Sequence, residues 1–371
     1  MGDRGYLEEC IDLAVRARGA TSPNPMVGAV LVQGDEIVGR GYHRCPGEPH
    51  AERVALADAV GRTEGATLYV NMEPCTHHGR TPPCVDAVLE AGISRVVIST
   101  LDPDQRVNGG GVDALRAAGV TVDVGELAVE AARLNDAYLS YKLRRSPLVT
   151  AKAAISLDGR LATSTRVSQW ISGEIARRRT HELRGDNDAI AVGIGTLLDD
   201  DPRLTARQER ACSPRYRVVL DTHLRTPRAA KLLGEEDGRA LIFCGEAAAG
   251  EAEEGLASAG AEVVRVATDE AGLSWPAILS ELADREVMSL LLEGGSGVLT
   301  SAFEADIIDK LFLVYAPLLI GGSTALSLWA GEGVDELEDA PRLHHVRRFD
   351  LGDDWAVEGY LHAPEAPLQR R

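Results

Sequence analysis

Residues 74–84 read PCTHHGRTPPC, and 25 residues upstream of that first proline residues 49–52 read PHAE. The eleven-residue stretch holds four possible metal ligands: Cys75, His77, His78 and Cys84. Each end of it sits at a junction between elements. The apolar run ATLYVNM (66–72) predicts a strand leading into Cys75, and Cys84 follows Pro82-Pro83 and opens a predicted helix. A thiolate at a helix N-terminus is favoured by exposed N–H groups and the helix dipole. PHAE places His50 and Glu52 in the first turn of another predicted helix, after a proline that sets its entry. His50, Cys75 and Cys84 together supply three ligands and leave the fourth tetrahedral position for water, the pattern of catalytic zinc. Glu52, two residues from His50, is placed to move a proton beside that water without ligating. The competing reading is a closed structural zinc with His77 or His78 as fourth ligand. Cys45, five residues before His50, is the one rival thiol, while Cys10, Cys212 and Cys244 read as ordinary buried or half-buried thiols.

Helix and strand alternate over the first 145 residues. Leu7, Cys10, Ile11, Ala14 and Val15 mark one face of a helix over 5–19. VGAVLV (27–32) and EIVGRGYH (36–43) flank Gln33-Gly34-Asp35 as a hairpin. RVVIST (95–100), a short helix near 111–118, VTVDV (120–124) and a long helix over about 126–144 complete the set. This alternation implies an α/β domain with a mixed sheet and helices on both faces. Pro147 cannot continue the last helix, so the pattern restarts there. The predicted domains are 1–146 and 147–371. The second has strands at about 148–155, 189–194, 216–220, 240–244, 262–266, 288–292 and 310–318, and a surface helix within GEAAAGEAEEGLASAG (245–260).

The chain has 371 residues, 44% hydrophobic and 26% charged, with net charge −18. Residues 1–146 carry 15 basic against 20 acidic side chains, and the remainder 24 against 37. Nucleic-acid binding needs a basic footprint, so no polynucleotide partner is expected; the rival enzyme reading is a nucleoside or tRNA-base deaminase with a fused non-catalytic or ligand-binding domain, and tRNA work predicts a basic second domain instead. No apolar run reaches the roughly 18–20 residues of a membrane span. The acid-containing N-terminal helix does not read as a targeting peptide, and six cysteines are too few for a disulfide scaffold, so a cytoplasmic protein is expected.

TSPNPMVGAVLV (21–32), GYHRCPGEPHAE (41–52) and EPCTHHGRTPPC (73–84) carry the zinc-deaminase pattern H-x-E…P-C-x2-C with a longer spacer, C-x8-C. They resemble the deaminase half of the bifunctional riboflavin-biosynthesis deaminase–reductase family. The resemblance implies a cytidine-deaminase-like three-layer domain that removes the 2-amino group of 2,5-diamino-6-ribosylaminopyrimidinone 5′-phosphate. It implies one zinc per chain on His50, Cys75 and Cys84, with Glu52 as proton shuttle. Asn24, His77, Arg80 and Thr81 fall at substrate positions, with Asp102 near the phosphoribosyl group. That family usually shows Asp-Pro-Asn at 102–104, and Asp104 here adds a carboxylate expected to repel a phosphate.

GIGTLL (193–198) lacks the third glycine of a dinucleotide fingerprint. MSLLLEGGSGVLTSAF (288–303) instead predicts a buried strand ending at Glu293, a glycine turn, and a helix start suited to a diphosphate. With AKAAISLDGRLAT (151–163), SQWISG (168–173), HELRGDND (181–188) and GTLLDDDPRLTAR (195–207), it resembles the reductase half of the same family. That half has a dihydrofolate-reductase-like α/β fold and uses NADPH. The resemblance places Lys152, Ser168, Arg184, Leu204, Arg207 and Glu293 on substrate. It places Ala154, Trp170, Thr196, Asp200, Thr222, Gly295, Ser296, Gly297, Val298 and Leu299 on the cofactor. Arg184 and Arg207 offer donor forks for a phosphate, Trp170 offers a flat apolar wall, and Lys152 or Asp200 is suited to handle the proton as hydride reaches C1′ of the opened ribose. Thr222 and Arg225 in DTHLRTP (221–227) are placed to meet the cofactor 2′-phosphate. The family resemblance also implies a homodimer or homotetramer.

Overall fold

The computed structural model of the chain describes residues 2–78, 82–207, 214–269 and 272–363, so Arg80, Thr81 and Cys212 lie outside the described residues. The chain divides into two compact units, one running through Arg145 and the other spanning Ser146–Ala363.

The first unit runs α1 (Asp3–Val15), β1 (Gly28–Gln33), β2 (Glu36–Tyr42), α2 (Ala51–Asp58), β3 (Thr67–Met72), α3 (Cys84–Glu90), β4 (Arg95–Thr100), α4 (Gly110–Ala117), β5 (Thr121–Val124), α5 (Ala128–Leu134) and α6 (Asp136–Arg144). Its sheet order is β2-β1-β3-β4-β5. β1 is antiparallel to both neighbours, whereas β3, β4 and β5 are parallel. Alternate residues of β1 enter different cores. Ala29 and Leu31 pack with Ala51, Ala55 and Val88, while Val30 and Val32 pack with Leu7, Cys10 and Leu127. Burial on both faces explains why GAVLV is uninterrupted apolar sequence.

Two glycines of β2 set the position of α2. A Cβ at Gly39 would lie 2.2 Å from the Ala55 carbonyl oxygen, and one at Gly41 would lie 2.2 Å from that of Ala51. The helix that follows His50 therefore rests backbone-on-backbone against the strand.

The long helix expected over 126–144 is two helices. Asn135 (φ −108°, ψ 26°) ends α5 and begins α6. Its amide bonds both the N–H and the C=O of Met26, and that tertiary contact overrides the local helical pattern.

The second unit comprises β6 (Leu148–Ser156), β7 (Arg160–Ala162), α7 (Glu174–Gly185), β8 (Ala189–Gly193), α8 (Ile194–Asp200), β9 (Tyr216–Leu220), β10 (Arg239–Gly245), α9 (Gly250–Ser258), β11 (Ala261–Val266), β12 (Thr268–Asp269), β13 (Gly272–Leu273), α10 (Trp275–Asp284), β14 (Ser289–Glu293), α11 (Ser296–Glu304), β15 (Lys310–Ala316), β16 (Leu326–Ser327), β17 (His344–Leu351) and β18 (Asp354–Tyr360). The main sheet has order β11-β10-β9-β8-β14-β6-β15-β18-β17. It is parallel from β11 to β15, and β18 and β17 add antiparallel strands at one edge. β14 lies at its centre, with Leu290 and Leu292 in one core and Leu291 in the other. The β17–β18 hairpin was not legible in the sequence. Six of the first seven residues of β17 are exposed, so no period-two burial pattern is written into it.

Candidate active sites

His50 is the N-cap of α2, and Glu52 stands in the first turn, where it is buried. Cys84 is the first residue of α3 behind Pro83, and its N–H points at the Cys75 sulfur at 3.4 Å. The His50 Nδ1 lies 3.5 Å from Cys75 Sγ and 3.3 Å from Cys84 Sγ, and all three ligand atoms lie within 4.8 Å of one another. A tetrahedral zinc with bonds of about 2.3 Å to sulfur and 2.0 Å to nitrogen requires N···S separations near 3.5 Å, so the set fits the ion. Cys45, His77 and His78 are not part of the cluster, and no fourth ligand joins it among the described residues. The hydrogen bond from Cys84 foremost lowers the Cys75 thiol, and with His50 it outweighs the opposing effect of burial. Cys84, which gives that hydrogen bond and is itself buried, is raised. Burial, followed by the charge on Cys75, raises Glu52.

Beside this cluster Asn24 Nδ2 lies 3.0 Å from His43 Nε2, and His43 Nδ1 lies 3.3 Å from the Pro49 carbonyl. Donation from Nδ1–H to Pro49 leaves Nε2 as acceptor for the Asn24 amide and its oxygen free to face a ligand. The His43 ring meets His50 edge-on at 5.3 Å. His43 was missed by the sequence reading, although it lies within GYHRCPGEPHAE. His77 is half-buried, and its Nδ1 has no hydrogen-bond partner.

The 102–104 loop departs from expectation. Asp102 is buried and turned inward, its Oδ1 accepting the Tyr138 hydroxyl at 2.9 Å and the Asp104 N–H at 2.9 Å. Burial pushes its pKa up to about 7. Asp104 was expected to repel a phosphate. Instead its carboxylate is paired with Arg106 at 2.7 Å and Lys142 at 2.8 Å. Burial opposes its ionised form, but these cations prevail and hold its pKa well below the usual range. The loop hangs on a residue not singled out from the sequence: buried Glu73 accepts the N–H groups of Asp102, Gly109 and Val112.

In the second unit a cavity of 1390 Å³ opens at the C-terminal ends of β8 and β14, large enough for a dinucleotide and a second ligand. It is lined by Lys152, Ala154, Ser168, Trp170, Arg184, Thr196, Asp200, Leu204, Arg207, Glu293 and Gly295. Thr222, Ser296, Gly297, Val298 and Leu299 lie outside that lining. Ser296 Oγ, in the first turn of α11, is buried without a hydrogen-bond partner, and the preceding Gly295 N–H meets Thr196 Oγ1 at 3.0 Å. An unpaired hydroxyl beside a glycine N-cap fits a phosphate group of a dinucleotide.

Register places Glu293 of β14 opposite Lys152 of β6. Glu293 forms a two-pronged pair with Arg184 at 2.8 and 2.9 Å. Burial disfavours its ionised form, but Arg184 and Lys152 outweigh this and hold it at about 2. Burial lowers Lys152. The Arg184 fork expected for a phosphate is therefore occupied from within the protein, while the Arg207 side chain stands exposed at the cavity wall. Arg177 and His181 also line the cavity. Their spacing with Arg184, at i, i+4 and i+7 along α7, marked a shared face that the sequence reading did not use. Arg177 lies over the Trp170 ring at 4.7 Å, and Gln169 Nε2 reaches Asp200 Oδ1 at 2.9 Å.

Residues 2–100 match the family model for the cytidine and deoxycytidylate deaminase zinc-binding region, and residues 147–357 match that for the RibD C-terminal domain. The chain is 38% identical to the riboflavin biosynthesis protein RibD of Aquifex aeolicus over 96% of its length and 97% of the relative's. It is 40% identical to that of Bacillus amyloliquefaciens over 94% of each. The solved RibD structure from Acinetobacter baumannii (form 1) superposes with a TM-score of 0.86 at 31% identity, covering 96% of this chain and 98% of that one. A Thermotoga maritima structure described as a diaminohydroxyphosphoribosylaminopyrimidine deaminase/5-amino-6-(5-phosphoribosylamino)uracil reductase superposes with a TM-score of 0.84 at 33% identity, with the same coverage. With both halves matched in one continuous chain, this protein belongs to the bifunctional RibD family of riboflavin biosynthesis.

Proposed function

We propose that the chain catalyses two successive steps of riboflavin biosynthesis, each in its own unit. The first deaminates 2,5-diamino-6-ribosylamino-4(3H)-pyrimidinone 5′-phosphate, and the second reduces the ribosyl group of the product to a ribityl chain with NADPH. The observation that carries the reading is the three-ligand cluster of His50, Cys75 and Cys84 with buried Glu52 beside it.

Zinc, when bound, supplies a Lewis acid that brings the pKa of water towards about 7. Glu52 takes a proton from the attacking water and delivers it to the departing amino nitrogen. Asn24 and His77 orient the pyrimidine, joined by Arg80 and Thr81, and Asp102 acts by shaping its loop. In the second unit NADPH supplies the hydride. Thr196, Asp200 and Gly295 hold the cofactor, Trp170 with Ala154 walls it, and Thr222 and residues 296–299, beyond the cavity lining, are assigned to it on the family resemblance. Ser168, Leu204 and Arg207 hold the substrate, and the Arg184–Glu293 pair orients Lys152, which provides the proton as C1′ is reduced. The domain division at 146/147 follows the two activities.

Self-association into a homodimer or homotetramer belongs to this reading, supported by the exposed edge strand β17. A cytoplasmic setting is supported by the five described cysteines, none of which is in a disulfide. No described helix is long and apolar enough to cross a membrane.

The test is to incubate the purified chain with the diaminopyrimidinone ribosyl phosphate and NADPH, following ammonia release and loss of reduced nicotinamide absorbance. Both signals are expected, in that order; absence of both refutes the reading.

A further inference from the structure

The break between α5 and α6 has a target. Asn135 is 3% exposed, and its Oδ1 accepts the Met26 N–H at 2.7 Å while its Nδ2 donates to the Met26 carbonyl at 2.9 Å. Its side chain thus pairs with one residue's backbone as a neighbouring strand would. Fully buried Asn71, in β3, donates to the same carbonyl at 3.0 Å and accepts the Gly28 N–H at 2.8 Å. Four hydrogen bonds from two buried amides fix residues 26–28.

The adjoining segment contains Pro23 and Pro25. Neither has an N–H, so a strand ladder cannot hold the segment and side chains must do so. Just ahead of the clamp stands Asn24, whose amide meets His43. Asn135 stands at the N-cap of α6, where an asparagine commonly bonds the first turn of its own helix, yet its side chain makes no such capping bond. The polar group is there for the loop.

We propose that Asn135 is a positioning residue of the deaminase site: it sets the 21–28 loop so that Asn24 presents its amide oxygen to the pyrimidine. The proposal rests on the reading above that Asn24 contacts substrate. Asn135→Asp removes the donor and places a carboxylate against the Met26 carbonyl. Asn135→Ser withdraws the clamp without adding charge, should the first variant fold poorly.

The experiment compares both variants with Asn24→Ala and the double variant Asn24→Ala/Asn135→Ser in the full chain. Deaminase kcat and KM, zinc content and reductase activity on the deaminated product are measured. Loss of about one neutral hydrogen bond to substrate raises KM on the order of ten-fold. The expected result is that rise in each single variant, no further rise in the double variant, kcat within about three-fold, and unchanged zinc and reductase activity. If Asn24→Ala raises KM and the Asn135 variants do not, this proposal alone fails. If Asn24→Ala leaves KM at its original value, the Asn24 contact fails and the proposal falls with it. Single effects that multiply in the double variant, or loss of zinc in the Asn135 variants, also overturn it.

Discussion

Replacing Gly41 with alanine tests how the deaminase site is held. The new Cβ would stand 2.2 Å from the Ala51 carbonyl oxygen, 2.5 Å from the Ala55 nitrogen and 2.8 Å from the Val54 Cβ. Two of these are backbone atoms of α2, which cannot rotate out of the way. Restoring a carbon–oxygen separation of about 3.3 Å requires α2 to move by about 1 Å relative to β2. The moving element carries His50 at its N-cap and Glu52 in its first turn, whereas Cys75 and Cys84 belong to the β3–α3 segment. The ligand set is therefore pulled apart along one edge. A misplacement of about 1 Å in a catalytic constellation costs on the order of 100-fold, and overpacking costs about 1–3 kcal/mol of stability. Expected are a fall of about 100-fold in deaminase kcat/KM by ammonia release, a Tm lower by several degrees, and unchanged reduction of the deaminated product. Gly34→Ala is the control. It meets nothing within 4 Å, but its φ of +62° strains alanine, so it should cost stability without affecting kcat/KM. Deaminase activity of Gly41→Ala within three-fold of the original would refute the claim that this contact positions the site.

Asp102 has its pKa raised to about 7 by burial, so the folded state holds its proton more tightly than the unfolded chain does. Stability therefore falls as pH rises from about 4 through about 7; Asp102→Asn, which retains an acceptor for Tyr138 and the Asp104 N–H, should flatten that decline in a Tm-against-pH series. Glu293 is lowered to about 2, so its stabilising contribution is present above about pH 4.5 and is lost as pH falls through about 2. Glu293→Ala leaves Arg184 buried without its partner and should destabilise by about 3–5 kcal/mol in urea unfolding, with reductase activity lost and ammonia release retained. Cys45→Ser, His77→Ala and His78→Ala should each keep one zinc per chain by elemental analysis, while Cys75→Ser or Cys84→Ser should lose it. Arg225→Ala should narrow the NADPH-over-NADH preference of the reductase, measured as a ratio of kcat/KM values.

The metal site was legible because its chemistry is local. A thiolate or imidazole at a helix start is written as Pro-Cys or Pro-His ahead of an amphipathic run, and His50 and Cys84 come from two such junctions, while Cys75 follows Pro74 just past the end of β3. The parallel strands were legible for a related reason: a strand buried on both faces, such as Leu290–Leu292, is a continuous apolar word. The β17–β18 hairpin lacked that signal because its outer strand faces solvent. The residue types of the zinc site and most of the strands are thus written locally, in neighbours within one or two turns. Only the tertiary structure decided that Asp104 is neutralised by Arg106 and Lys142, that Arg184 is already engaged by Glu293, and that Asn135 breaks a helix to hold Met26. The last two contacts span 109 residues each, and the Lys142 pairing spans 38. A charge or an amide looks the same in sequence whether its partner is solvent, ligand or a distant residue, and only folding brings the partner within hydrogen-bond reach.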